Sequence, residues 1–172
     1  MNEVIEVLKK RRSIRKYKQE QVSKEDLEEI LAVAKMAPSA MNEQPWFFVV
    51  IQSKEAMADL AKHLQQEDPF YGAPTVILAF YRQQALAPVV DTTFAMGNIM
   101  QSACALGLGT CYIYSVKHLF EENANLASAY HVPEGYSCLG GLCLGIPDEE
   151  ASIPERNDDV VYYIEEEKET YE

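Results

Sequence analysis

Six consecutive aromatic and β-branched residues, Trp46-Phe47-Phe48-Val49-Val50-Ile51, stand between Pro45 and Ser53. This composition and length read as a buried strand. A strand needs partners, and the chain supplies candidates at Thr75–Tyr81, Thr110–Tyr114, the glycine-rich Cys138–Gly145, and a tail strand at Val160–Ile164. Glycine in that fourth run points to close approach by another backbone or a ligand. Helical signals lie between the strands. A first helix begins after Asn2 with Ile5 and Leu8 on its inner face, and runs into Lys9-Lys10-Arg11-Arg12. Ser23-Lys24-Glu25-Asp26 resembles a capping box ahead of Leu27, Ile30, Leu31 and Ala34, and Pro38 stops that helix. Ser53 caps a helix carrying Met57, Leu60, Ala61 and Leu64 on one face. Asp91–Leu108 is apolar almost all round, as in a helix enclosed by the fold, and ends at Gly107 and Gly109. One or two short helices cover Lys117–Tyr130. The order is not a regular βαβ alternation, so the expected class is α+β, with a mixed, mainly antiparallel sheet and helices on both faces. With 172 residues the chain reads as one domain, 1–172.

The net charge is −12, which disfavours nucleic acid or an anionic membrane as a general partner. The charge is uneven. Residues 1–18 carry seven basic and two acidic side chains, and residues 148–172 carry two basic and eleven acidic. The acidic terminus after Ile164 reads as a solvated surface. Cys104, Cys111, Cys138 and Cys143 lie in apolar stretches without close ligand spacing, and His63, His118 and His131 are scattered. No metal site is expected. Buried reduced thiols fit a cytoplasmic protein, as does an N-terminus without a signal-peptide pattern. The apolar stretch Phe94–Leu108 is interrupted by Asn98, Gln101 and Ser102 and is too short to span a bilayer.

Two segments carry candidate chemistry. Arg11, Arg12, Ser13 and Arg15 combine permanent guanidinium charge with a hydroxyl, the donor set that holds a phosphate. By themselves they also read as a solvated basic helix end. The second segment, Ala37-Pro38-Ser39-Ala40-Met41-Asn42-Glu43-Gln44-Pro45-Trp46, presents Ser39, Asn42 and Gln44 on a backbone constrained by two prolines. It suits a polar planar heterocycle, or is an ordinary polar loop.

RRSIRKY at Arg11–Tyr17 followed by APSAMNEQPW at Ala37–Trp46 resembles the FMN-dependent nitroreductase family. The later pieces keep the family's order: Gly72-Ala73-Pro74, Asp91–Ile99, Ala105–Thr110, Val132–Gly135, Gly145-Ile146-Pro147 and Pro154-Glu155-Arg156. The resemblance implies a homodimer with exchanged C-terminal segments, two flavins at the interface and the apolar central helix as the seam. It implies that Arg11, Arg12, Ser13 and Arg15 hold the FMN phosphate and ribityl chain, with Arg15 near the N1–C2 carbonyl edge. Pro38, Ser39, Ala40, Asn42 and Gln44 would reach the flavin from the other subunit. The backbone of Tyr114 and Ser115 would lie near flavin N5, and Arg156 would bind phosphate. The lysine often found two residues before that arginine is Pro154 here. The stretch from His63 to Gly72 is compressed, leaving Phe70 and Tyr71 as lid candidates.

The implied activity is ping-pong hydride transfer from NADH or NADPH to FMN and on to a nitroaromatic, quinone or similar small acceptor. The flavin carries the chemistry, so no side chain is assigned a catalytic step. Gly107–Tyr112 fails the dinucleotide fingerprint and follows a helix, as expected if nicotinamide only visits the flavin. The alternatives are a dehalogenase-like relative, a non-catalytic flavin-binding sensor dimer, and a thiol redox enzyme. The last is disfavoured because no basic residue adjoins any cysteine in sequence.

Overall fold

The computed structural model describes residues 2–123 and 125–164. Its elements are α1 (Glu3–Lys10), α2 (Lys24–Lys35), a single 3-10 turn at Ala40–Asn42, β1 (Trp46–Ile51), α3 (Lys54–Leu64), β2 (Thr75–Arg82), α4 (Pro88–Ala105), β3 (Gly109–Ile113), α5 (Ser115–Glu122), α6 (Leu126–Ala129) and β4 (Tyr136–Gly145). The four strands form one sheet in the order β1-β2-β4-β3. Every neighbouring pair is antiparallel. The mixed sheet expected from sequence is therefore corrected for the described strands: parallel pairing is confined to an isolated bridge between Ser13 and Thr110.

Alternation along β2 builds two cores, because successive strand side chains face opposite sides. Val76, Leu78 and Phe80 join Cys111, Ile113 and Cys143 beneath Leu60 of α3 and Val116, Leu119 and Phe120 of α5. Ile77 and Ala79 join Leu142 and Leu144 beneath Ile30 and Ala34 of α2 and Met96, Ile99 and Ala103 of α4. The helices start where the caps specify: the side chains of Asn2, Ser23 and Ser53 accept backbone N–H bonds from Val4, Asp26 and Ala56.

Several expectations change. β1 is half-buried, with only Ile51 of its six residues fully buried, whereas β3, the other edge strand, is almost wholly buried. The long helix starts at Pro88, where a proline suits the first turn. It is buried on one face, while Val89, Val90 and Phe94 lie on an exposed one. In α1 no residue is fully buried; Ile5 and Leu8 are 44% and 45% exposed, only partly covered by the described residues. Val160–Ile164 forms no strand, and all five side chains are exposed, because no strand among the described residues pairs with them. The acidic stretch from 165 lies outside the described residues.

Two glycines fix the geometry beneath the site. A Cβ on Gly109 would stand 2.6 Å from Ile14, so glycine lets the N-terminal segment lie directly on β3. Gly140, at φ +152°, leaves room for the Tyr112 ring, whose hydroxyl donates to the Leu139 carbonyl at 2.6 Å. The close approach expected of the glycine-rich strand is thus made by the protein's own side chains.

Candidate functional site

The basic segment after α1 is stitched to two other parts of the chain. Ile14 N–H donates to the Thr110 carbonyl at 3.0 Å, Lys18 N–H to Ile146 at 2.9 Å, and Asp148 N–H to Lys16 at 2.9 Å. Tyr17 bridges to Pro147, and its buried hydroxyl donates to the Ile14 carbonyl at 2.6 Å. Residues 13–18 therefore lie between the start of β3 and the segment leaving β4. That segment carries Arg156 back to the N-terminal arginines.

The result is a cleft of about 600 Å³ lined by Arg11, Arg12, Ser13, Arg15 and Arg156, together with Glu149, Glu150, Ala151, Ser152 and Pro154. The Arg12 head donates to the Arg11 carbonyl at 2.7 Å and also to the Lys9 carbonyl. Its Nε is buried without a hydrogen-bond partner among the described residues. Arg15 N–H donates to a Glu149 carboxylate oxygen at 2.5 Å. Its guanidinium carbon lies 5.9 Å from the Tyr71 ring centroid, within cation–π range. Glu149 and Glu150 were missed by sequence reasoning, because an acidic run reads as solvated surface until the fold turns it toward arginine.

The remaining expected residues lie elsewhere. Pro38–Gln44 forms a separate loop against the start of α4, held by an Ala40 N–H to Asp91 carboxylate bond of 3.1 Å. Within one chain it does not line the arginine cleft. Tyr114 and Ser115 lie just past β3, at the start of α5. Tyr114 is about half exposed, its ring edge-on to His118 at 4.9 Å and beneath Lys117 at 5.5 Å. Thr110 sits beside Ser13, and four strand steps take β3 on to Tyr114, roughly 13 Å away. Phe70 is buried in the core at 5% exposure, which removes it as a lid candidate; neighbouring Tyr71 is exposed and faces Arg15.

The four cysteines are free; Cys104 is half-buried and the other three are buried. Burial pushes the Cys111 thiol up, while Arg15 pulls it partly back. The fold thus supplies a cation near a cysteine that has no basic neighbour in sequence. Burial pushes Cys138 up to about 12 and Cys143 further in the same direction. Thiols held in the protonated form are poor nucleophiles.

Fold and cleft together define a class: an α+β protein with one antiparallel sheet between helical layers and an arginine-rich cleft that Glu149 and Glu150 also line. The Nitroreductase family model matches residues 8–84 and 64–146, and the chain belongs to this family. A protein of Archaeoglobus fulgidus, provisionally named as an NADH dehydrogenase/NAD(P)H nitroreductase, is 32% identical over 163 residues, covering 92% of this chain and 93% of its own. The FMN reductase [NAD(P)H] of Bacillus subtilis is 29% identical, with 96% and 74% covered. A nitroreductase with bound FMN from Desulfitobacterium hafniense superposes with a TM-score of 0.87 at 28% identity, covering 96% of this chain and all of that one. The cleft fits the phosphate end of such a cofactor. Its donors are permanently charged or hydroxylic, and the buried Arg12 Nε has no partner among the described residues.

Proposed function

We propose that this chain is an FMN-dependent NAD(P)H oxidoreductase of the nitroreductase type, one domain that works as a homodimer in the cytoplasm. The observation that carries this reading is the convergence of Arg11, Arg12, Ser13 and Arg15 with Arg156, from opposite ends of the chain, on one cleft. When bound, FMN would supply ping-pong hydride chemistry, accepting from NADH or NADPH and then donating to a nitroaromatic, quinone or similar small acceptor.

The chain's own residues bind and orient. Arg11, Arg12, Ser13 and Arg156 would hold the phosphate by charge-assisted hydrogen bonds. Pro154 lines the same cleft and offers no ammonium. Arg15 would bring permanent positive charge to the N1–C2 carbonyl edge and favour negative charge there. The Tyr114–Ser115 backbone would face N5, at the other end of β3 from the phosphate.

Ser39, Ala40, Asn42 and Gln44, with Pro38, would complete the pocket from the second subunit. Dimerisation is supported by apolar side chains left uncovered on α1 and α4: Val4, Ile5, Leu8, Val89, Val90 and Phe94. Val160–Ile164, five exposed apolar or aromatic residues, would add to the open edge of β1 in the other copy. Four unpaired thiols suit a reducing compartment.

The test is the visible spectrum of the purified protein with and without FMN, followed by NADH or NADPH without oxygen. A flavin spectrum that bleaches is expected. Absence of flavin binding overturns the site, and a bound flavin that neither nucleotide bleaches overturns the reductase activity.

A further inference from the structure

Asp91 is a buried carboxylate with no task in the reaction as described. It lies in the first turn of α4 at 3% exposure. Among the described residues no lysine, arginine or histidine forms an ion pair with it. Taking a charge out of water is unfavourable unless it is matched. Here the match is the positive end of α4 and one backbone N–H, that of Ala40 at 3.1 Å.

The backbone it holds is strained. Met41, Asn42 and Gln44 have φ of 51°, 57° and 46°, the left-handed region, and none is glycine. Local bonds tie the loop to itself: Gln44 N–H donates to Ser39 Oγ at 3.1 Å, and Gln44 Nε2 donates to Asn42 Oδ1 at 3.1 Å. Two carboxylates then anchor it to the fold. The Glu43 carboxylate accepts from Leu86 N–H at 2.6 Å and pairs with Arg82 at 3.8 Å. Asp91 anchors the opposite half, beside the exposed Val89, Val90 and Phe94. A strained loop anchored at both halves is preorganised to present Ser39, Asn42 and Gln44 as one edge.

We infer that Asp91 is a positioning residue for cofactor binding: its carboxylate fixes the Ser39–Gln44 loop for contact with the FMN held by the second copy. The inference rests on the proposed dimeric FMN site. It makes the first turn of α4 serve both the subunit interface and the geometry of the cofactor loop.

Three variants test it. Asp91→Asn keeps an oxygen acceptor for Ala40 N–H; Asp91→Ser shortens the side chain beyond reach. Ala40→Pro deletes the donor at a position where proline is tolerated, since Ala40 opens the turn and Ser39 is extended (φ −145°, ψ 149°). FMN affinity is measured by flavin fluorescence quenching, with thermal unfolding of each flavin-free protein and hydrogen exchange of residues 38–45. The expected result is at least tenfold weaker FMN binding for Asp91→Ser and Ala40→Pro, and affinity within threefold of wild type for Asp91→Asn. The Ala40 amide should be protected in wild type and Asp91→Asn and exposed in Asp91→Ser. Unchanged affinity in Asp91→Ser or Ala40→Pro overturns the inference alone, as does equal loss in Asp91→Asn and Asp91→Ser. Should Asp91→Ser fail to fold, Ala40→Pro and Asp91→Asn decide the question. A wild-type protein that binds no FMN overturns the parent reading and this inference with it.

Discussion

α1 and α2 are written in the same style and end in opposite situations. Both are capped by a polar side chain, carry acidic residues in the first turn and lysine in the last, and show an apolar stripe. In α2, Leu27, Ile30 and Ala34 are buried, packed with α4 over the sheet. In α1, Val4, Ile5 and Leu8 remain exposed. An amphipathic pattern therefore says that a face will be covered, and leaves open whether the same chain covers it.

The largest effect should come from the covered stripe. Ile30→Ala empties a site with no solvent exposure and should destabilise the fold by ~2–5 kcal/mol in denaturant unfolding. A loss below that range would mean α2 is no better packed than α1.

Leu8→Glu probes the uncovered stripe. It should leave the fold of the chain intact while removing, per copy of the proposed dimer, about half of the ~1.5–3 kcal/mol that full burial of a leucine is worth, since Leu8 is 45% exposed in one chain. Sedimentation should then show one chain mass where the wild type shows two; an undisturbed dimer would exclude α1 from the interface.

Where α1 ends, the comparison becomes one of charge. Arg11→Ala or Arg156→Ala should weaken FMN binding by ~1.5–3 kcal/mol, roughly ten- to hundredfold. Wild-type affinity in both would mean the phosphate sits elsewhere.

The caps give the smallest contrast. Ser23→Ala should cost ~1 kcal/mol of global stability, and Asn2→Ala should cost the flavin-free monomer measurably less, because no residue of α1 is fully buried. Equal costs in thermal melts would show α1 to be part of the cooperative core.

Much of the fold was legible. The continuous apolar run of β2 and the 3.6-residue stripes of α2 and α3 were read at nearly the observed boundaries, because local pattern and burial agree there. Val160–Ile164 misled for the opposite reason: its composition favours a strand, but a strand exists only where another chain segment offers hydrogen bonds. The arginine motif was legible as a cluster of permanent charge. The approach of Arg156 was legible only through family resemblance, since more than 140 positions separate it from Arg11.

The sequence by itself determined which segments are apolar, where the caps stand, that guanidinium groups cluster after the first helix, and that a polar loop is pinned between prolines. Each is a property of neighbours along the chain. Only the tertiary structure decided that Glu149 faces Arg15, that Phe70 is core while Tyr71 is surface, and that buried Asp91 holds the strained loop. Those outcomes depend on which distant segments share a layer. Burial and charge pairing are set by distance in space, and antiparallel strands and returning segments bring together residues that local pattern leaves unrelated.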